Sequence, residues 1–163
     1  MIRLMTQDDL FDVVDIYNYA IEHTTAVYSY EPVDEIERLI WYVEKEKKEE
    51  PIIVYELDGR VFGFATYGSF RNWPAYRYTV EHSVYVDPNY HGRGVATQLL
   101  TELIRLARES GYHTMVAGID ADNVASIALH EKLNFRHCGT VTEVGHKFGR
   151  WLDLAFYQLH LEG

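Results

Sequence analysis

One glycine-rich stretch, residues 84–97, most constrains what this chain can fold into. A strand-like run ends at Asp87-Pro88, because proline cannot donate a ladder hydrogen bond, and His91-Gly92-Arg93-Gly94 follows without a bulky apolar side chain. From Val95 onward, apolar residues recur at helical spacing. A loop poor in side chains that runs into a helix leaves backbone N–H groups unpaired, and such amides favour a phosphate group. The sequence therefore predicts a strand, a phosphate-binding loop and a helix in that order.

The length of 163 residues predicts one globular domain, spanning residues 1–163. A net charge of −10 argues against a protein that wraps nucleic acid, which needs a basic field. No apolar run approaches the ~20 residues of a membrane span, and residues 1–6 lack the apolar segment of a signal peptide. Cys138 is the single cysteine, so we expect a reducing, cytoplasmic compartment and a buried role for this small side chain.

The chain ahead of the glycine loop predicts two helices. A short apolar run at residues 2–5 is typical of an edge strand, and Thr6 with Asp9 resembles a capping box ahead of an apolar stripe of helical period. Asp34 can cap a second helix, which Pro51 ends. We expect the inner face of this second helix to consist of Ile36, Leu39, Ile40 and Val43.

Strand-like runs on both sides of the loop predict a mixed sheet. Residues 52–57 and 60–67 flank Asp58-Gly59, which is a strong hairpin signal. Residues 79–86 and the buried run 115–119 are separated by the loop and its helix, as in a right-handed parallel crossover. The sequence therefore predicts an α/β (or α+β) domain, a mixed sheet flanked by helices.

The last third of the chain predicts one short helix and two long strands. Residues 124–133 are helical in pattern, and residues 135–148 and 151–161 are strand-like, with a turn at Gly149-Arg150. We expect the inner face of the short helix to consist of Ala125, Ala128, Leu129 and Leu133.

Two motifs resemble those of the GCN5-related N-acetyltransferase (GNAT) superfamily. Residues 91–96, His-Gly-Arg-Gly-Val-Ala, resemble its Gln/Arg-x-x-Gly-x-Gly/Ala motif, whereas the Walker and dinucleotide-binding patterns do not fit. Residues 123–135 resemble its Asn-x-x-(Ala/Ser)-x-x-Leu-Tyr-Glu-Lys-Leu-Gly-Phe block. Residues 76–86 and 144–153 are similar to blocks of the phosphinothricin and methionine sulfoximine acetyltransferases. The resemblance implies the GNAT fold, a mixed central sheet with splayed parallel strands.

The same resemblance implies an enzyme that transfers acetyl from acetyl-CoA directly to the amino group of a small amino-acid analogue. Phosphinothricin, methionine sulfoximine and methionine sulfone are substrates of that type, and no metal is implied. Glu81 is the implied general base, because an alkylammonium must lose a proton before it attacks, and burial would raise the pKa of this carboxyl. His130, in place of the family's tyrosine, is the candidate proton donor to the leaving thiolate.

The resemblance also implies two sets of binding residues. The free edge of the strand would pair with the pantetheine arm, with the N–H of Val86 on the thioester oxygen, and the loop amides would hold the pyrophosphate. The implied cofactor-binding residues are Val84, Tyr85, Val86, Gly92, Arg93, Gly94, Val95, Ala96, Thr97, Asn123 and Lys132. The implied substrate-binding residues are Arg71, Asn72, Trp73, Glu81, Val27, Tyr28, Tyr76 and Lys147, with Trp151 as a further pocket candidate.

Several alternatives stay open at this point. Asn123 can be a pure helix cap, Lys132 a solvated lysine, and Glu81 a strand glutamate paired with Arg77 or His82. His91 departs from the family's glutamine or arginine, and Phe148 stands where some phosphinothricin enzymes carry histidine.

Two other functions also stay open. The substrate could be another amine, such as a protein N-terminus, a polyamine or an antibiotic. The chain could instead be a non-catalytic CoA-binding sensor. The resemblance further implies a homodimer, with neither a nucleic acid nor a membrane as partner.

Overall fold

Seven strands form one mixed sheet in the computed structural model, which describes residues 1–162. The strands are β1 (Ile2–Leu4), β2 (Ile52–Leu57), β3 (Arg60–Ser69), β4 (Thr79–Val86), β5 (Thr114–Asp120), β6 (Arg136–Lys147) and β7 (Arg150–His160). Their spatial order is β1-β2-β3-β4-β5-β7-β6, and only the β4–β5 pair is parallel. The helices are α1 (Leu10–His23), α2 (Glu35–Lys47), α3 (Val95–Glu109) and α4 (Val124–Lys132).

The local elements confirm most of the sequence prediction. β2 and β4 have the predicted bounds, and α3 begins at Val95 directly after the glycine loop. β1 is an edge strand, as predicted, and Thr6 forms the predicted capping box with Asp9. The helix and β5 that follow the loop complete a parallel crossover to β4, so the expected α/β architecture is confirmed.

The parallel pairing between β4 and β5 is short. It runs only over Thr79–Glu81 on β4 and Thr114–Val116 on β5. Beyond that point β5 continues beside β7 as far as Asp120, while β4 continues beside β3 as far as Val86. The two central strands therefore part after Glu81, and beyond that residue the β5-facing edge of β4 has no strand partner among residues 1–162.

The two faces of the sheet carry separate apolar clusters. On one face, α3 buries Leu99, Leu100 and Leu103 against the central strands, and each of these side chains is fully buried. On the other face, α1 packs Val13 and Ile16 against β2 and β3. Because side chains alternate along a strand, successive residues of β4 point to different clusters.

The predicted inner face of α2 is wrong. Leu39 is half-buried, and the three other side chains lie on the solvent side of the helix. These exposed residues are Ile36, Ile40 and Val43. The inward stripe carries Arg38 and Trp41 instead, because the surface beneath α2 is aromatic: the guanidinium carbon of Arg38 lies 3.6 Å from the centroid of Tyr17, and the indole of Trp41 meets the ring of Phe64 edge-on.

The last third of the chain corrects three further predictions. Ala125 and Ala128 on α4 are exposed, and the buried residue of that helix is His130. Cys138 is exposed rather than buried, because it lies on β6, an edge strand with most of its residues in solvent. The β6–β7 turn is Phe148-Gly149, both in the left-handed region, and Arg150 already begins β7.

Lys147 anchors the end of α1 instead of contacting a substrate, which corrects the sequence prediction. Its Nζ donates to the carbonyl oxygens of Ile21 at 2.5 Å, Thr24 at 2.8 Å and Val27 at 2.8 Å. An ammonium has three donors, so the side chain has none left for a ligand. Lys147 therefore fixes the loop after α1 against β6.

No helix among residues 1–162 is both long and apolar enough to cross a membrane. The homodimer that the resemblance implies stays a prediction.

We expect Lys147→Met to lower the free energy of unfolding by about 2–4 kcal/mol, because it leaves buried carbonyls without a donor. Lys48→Met, at an exposed position, should change it by no more than about 0.5 kcal/mol. Urea unfolding followed by circular dichroism measures both. Equal stability of the two variants would contradict the anchoring role.

Candidate active site

A cavity of about 280 Å³ lies between α1, α2 and the central strands, on the face of the sheet opposite α3. We call it the Glu81 cavity, after the carboxylate that β4 contributes to it. Its lining residues are Tyr17, Arg38, Trp41, Lys45, Phe64, Thr66, Tyr67, Gly68, Ser69, Glu81, Ser83 and Tyr85. Its volume lies at the lower end of the range for small-molecule pockets, which suits a ligand of few atoms.

Glu81 lies at the last parallel pair, where β4 and β5 begin to part. Glycines occupy both neighbouring strands: Gly68 is opposite Glu81 on β3, and a Cβ on Gly118 of β5 would lie 3.2 Å from the Glu81 Oε2 atom. Burial raises the pKa of the Glu81 carboxyl, and the charge of Arg71 offsets only part of this effect. Glu81 has no ion pair with Arg77 or with His82, which points to the other face of β4.

The side chains that form the wall of the cavity were missed by the sequence analysis. Arg38, Trp41 and Lys45 follow one another at helical spacing on α2, so one face of that helix turns all three toward the sheet. In the sequence, Trp41 has a basic residue one helical turn before it and another one turn after it, and this pattern could have indicated the cavity-facing side of α2. Lys45 is neutralised there: its Nζ donates to the carbonyl of Tyr67 at 2.8 Å and lies 3.4 Å from a carboxylate oxygen of Glu50.

The β5-facing edge of β4 presents unpaired backbone groups. The N–H of Asp87 donates to Phe62 on β3, and bonding residues alternate along an antiparallel ladder. The amides of Val84 and Val86 therefore point away from β3, toward the gap left by β5. Tyr85 instead bonds to β3 and turns its ring into the Glu81 cavity, and its predicted cofactor contact stays a prediction.

The imidazole of His91 holds one group of this edge. Its Nε2–H donates to the carbonyl oxygen of Val86 at 3.0 Å. The histidine that departs from the family motif thus ties the glycine loop to the end of β4, and the N–H of Val86 remains available.

The glycine loop has the backbone shape of an anion site. Gly92 and Gly94 have φ values of +77° and +78°, and no atom lies within 4 Å of a Cβ built on either. Gly94 is the N-cap of α3 and gives no side-chain cap, so the first-turn amides of Val95, Ala96 and Thr97 are free for a ligand. The guanidinium of Arg93 stacks on Tyr90, 4.7 Å from the ring centroid, which keeps its charge beside the loop.

His130 forms a buried pair with His82. Its Nδ1 lies 2.7 Å from the carbonyl oxygen of Ser126, and its Nε2 lies 3.0 Å from the Nε2 of His82. A carbonyl only accepts, so Nδ1 of neutral His130 carries the proton and its Nε2 accepts from His82. Burial lowers the pKa of both imidazoles, that of His82 to about 3, so both are neutral near pH 7. His130 in this state has its one ring proton in the hydrogen bond to the Ser126 carbonyl, and its predicted role as proton donor to the thiolate stays a prediction.

Asn123 and Lys132 flank α4. The side-chain oxygen of Asn123 caps the helix by accepting from the Ser126 N–H at 3.1 Å, so only its amide donors can reach a cofactor. Lys132 is exposed at the other end of the helix. Their predicted cofactor contacts stay predictions.

The loop after β3 carries exposed side chains beside the Glu81 cavity. Arg71 is in solvent yet close enough for its charge to act on Glu81, and its guanidinium stacks on Phe70 at 4.3 Å. Asn72, Trp73 and Tyr76 are exposed on the same loop, with Trp73 72% accessible. None of these four side chains lines the cavity in this conformation.

The other substrate candidates lie near the end of α1. The half-buried Val27 uses its carbonyl to hold Lys147, and the ring of Tyr28 fills the space above Gly145. Trp151 is exposed and stacks edge-on with His146. The structure does not bring these three to the Glu81 cavity.

A second cavity, of about 330 Å³, lies between the end of α1 and the β6–β7 turn. Its two carboxylates have partners within the protein: Asp120 accepts from the hydroxyl of Thr25, and Asp122 lies 3.5 Å from the guanidinium of Arg150. In the part of the chain that the structure describes, no three His, Cys, Asp or Glu side chains are placed to hold a metal ion.

Comparison with known proteins agrees with this geometry. A family model described as the acetyltransferase (GNAT) family matches residues 13–135. The chain is 45% identical over 161 residues to the L-methionine sulfoximine/L-methionine sulfone acetyltransferase of Salmonella typhimurium, covering 99% of this chain and 94% of that protein. It is 34% identical over 160 residues to the phosphinothricin N-acetyltransferase of Streptomyces coelicolor, covering 96% of this chain and 94% of that one.

A solved structure gives the same answer for the fold. A putative acetyltransferase from Salmonella typhimurium, determined with its cofactor acetyl-CoA, superposes with a TM-score of 0.98 at 45% identity, covering 100% of this chain and 94% of that one. The predicted GNAT fold and the resemblance to phosphinothricin and methionine sulfoximine acetyltransferases are thus confirmed. This chain belongs to the GNAT family of acetyltransferases.

Proposed function

We propose that this protein transfers the acetyl group of acetyl-CoA to the α-amino group of a small amino acid of the methionine sulfone, methionine sulfoximine or phosphinothricin type. The observation that carries the proposal is the position of Glu81, a half-buried carboxylate of raised pKa in a small cavity beside the free edge of β4. The activities named for the two relatives support the substrate class.

The residues of the loop and edge fit the parts of acetyl-CoA. Bound acetyl-CoA supplies the acetyl group as a thioester. The free first-turn amides at Val95–Thr97 and the open loop would hold the pyrophosphate, with the charge of Arg93 beside them. The outward amides of Val84 and Val86 would pair with the pantetheine arm, and the Val86 N–H would stabilise negative charge on the thioester oxygen. Asn123 and Lys132 would add side-chain donors.

Glu81 prepares the amine. An α-ammonium group entering the cavity must lose a proton before its nitrogen can form the new C–N bond, and the Glu81 carboxylate accepts that proton directly or through water. As the C–N bond forms, the C–S bond of the thioester breaks and CoA leaves as the thiolate, which takes up a proton to give the free thiol. Its raised pKa makes it a stronger base than an ordinary glutamate. Arg71, on the exposed loop, acts on the Glu81 pKa through its charge and is the proposed partner of the substrate α-carboxylate.

We expect CoA thiol release from acetyl-CoA in the presence of methionine sulfone, methionine sulfoximine or phosphinothricin. Polyamines and peptides should give at least tenfold lower kcat/KM, because the Glu81 cavity is small and holds two basic side chains. A thiol-release assay over these substrates at equal concentration measures the ratio. A peptide or polyamine as best substrate would contradict the proposal.

The pH profile tests Glu81 as the base. The base must be ionised, so kcat/KM should fall as the pH drops through the Glu81 pKa, which burial sets above that of an exposed glutamate. Glu81→Gln should lower kcat by about 10²–10⁴-fold and remove this acidic limb, with little change in acetyl-CoA affinity. Glu102→Gln, which removes a surface partner of Arg105, is the matched control. Unchanged kcat in Glu81→Gln would contradict the assignment, and CoA binding without any turnover would indicate a sensor.

Gly94→Ala tests the loop. The left-handed backbone at this residue disfavours alanine by about 1–2 kcal/mol, and relief of that strain would displace the first-turn amides. We expect the KM for acetyl-CoA to rise about tenfold. Gly59→Ala is the matched control, because Gly59 has φ +81° and equally open space in the β2–β3 turn. A similar change in KM for both variants, or for neither, would contradict a role of the loop in cofactor binding.

A further inference from the structure

Arg38 is the buried cation of the Glu81 cavity. Only 8% of the residue is accessible, and it comes from the face of α2 that covers the sheet. Its guanidinium carbon lies 3.6 Å from the ring centroid of Tyr17 and 4.0 Å from that of Trp41. The two rings pack against the guanidinium, and all three residues line the cavity.

Within residues 1–162, this cation has no countercharge. Its Nε is buried and has no hydrogen-bond partner, and no carboxylate among residues 1–162 forms an ion pair with it. The other cation of the cavity, the half-buried Lys45, is by contrast paired with Glu50. An unpaired buried charge is costly, and a group of oxygen atoms placed against the guanidinium removes that cost.

Arg38 and Arg71 occupy different positions relative to the base. Arg71 lies on the exposed loop outside the cavity, where its charge lowers the pKa of Glu81, whereas Arg38 lines the cavity itself. Tyr85 lines the same cavity, and the charges of Arg38 and Glu81 shift the pKa of its hydroxyl in opposite directions. An amino acid with its amine at Glu81 and its carboxylate at Arg71 would therefore extend its side chain toward Arg38.

We propose that Arg38 binds the oxygen atoms at the end of the substrate side chain, those of a sulfone, sulfoximine or phosphinate. This inference rests on the proposed function and names the residue that selects the substrate class. The five N–H donors of a guanidinium suit S=O and P–O oxygens, whereas the sulfur of a thioether accepts hydrogen bonds weakly. Arg38 thus distinguishes methionine sulfone from methionine, which differ only in the two sulfone oxygens.

The experiment compares kcat/KM for methionine sulfone and methionine in three arginine variants. Arg38→Met keeps an unbranched chain between the rings and removes the donors. We expect this variant to have a kcat/KM at least 30-fold lower than the wild type for methionine sulfone and less than threefold lower for methionine. The preference for the sulfone over methionine should therefore be lost. Arg71→Met should lower kcat/KM for both substrates by a similar factor. Arg60→Met, at an exposed arginine 5.3 Å from the ring of Phe62, should leave kcat/KM unchanged for both substrates.

A preference for the sulfone that persists in Arg38→Met would overturn the inference and leave the proposed function intact. Thermal unfolding gives a second readout that does not require turnover. Methionine sulfone should raise the melting temperature of the wild type but not of Arg38→Met, while the ligand-free variant should melt no lower than the wild type, because it lacks the unpaired charge.

The two readouts separate the two proposals. A wild type that acetylates neither compound refutes the proposed function, and the melting shift then decides on Arg38 by itself. Equal shifts in wild type and variant, or no shift in the wild type, would overturn the role of Arg38.

Discussion

The early end of the pairing between β4 and β5 is the constraint on which the site depends. Hydrogen bonding between them stops at Glu81 and Val116, because β5 turns to follow β7 while β4 stays with β3. A continuous parallel pair would have used the outward amides of Val84 and Val86 within the sheet. Because the strands part, one edge of β4 is left for a ligand, with the helix amides of α3 at one end of it and Glu81 at the other.

The alternation of side chains along β4 divides the work between the two faces of the sheet. Glu81 and Tyr85 turn into the cavity beneath α2, whereas His82 turns to the other face and bonds to His130. The imidazole pair is therefore separated from the base by the sheet itself. With both pKa values lowered by burial, the pair is a neutral packing element of that face, which explains how a histidine can replace the family's tyrosine without adding a charge.

The sequence predicted the elements that local patterns determine, and much less of the cavity. Alternation and turn signals gave β2 and β4, and the apolar period gave α3 from Val95, since these depend on neighbours in the chain. The inward face of α2 could not be predicted from apolar spacing. Three apolar residues of this helix face solvent, and Arg38 faces the sheet because the surface beneath it is aromatic. Lys147 is similar, since the carbonyls it binds belong to a segment more than 100 positions earlier. Contacts of this kind have no local signature.

Glu81 and Arg38 share a cavity without neutralising each other, and both properties of the site depend on that separation. A direct ion pair would lower the pKa of Glu81, which would weaken it as a base, and would occupy the donors of Arg38. The aromatic rings of Tyr17 and Tyr85, which meet edge-on at 5.4 Å between centroids, stand in this part of the cavity. Tyr17 and Trp41 hold the guanidinium by its two faces, and no ion pair joins Arg38 to Glu81. The ligand-free protein therefore carries one uncompensated cation and one poorly solvated carboxylate, and a zwitterionic amino acid with a polar side-chain end matches both.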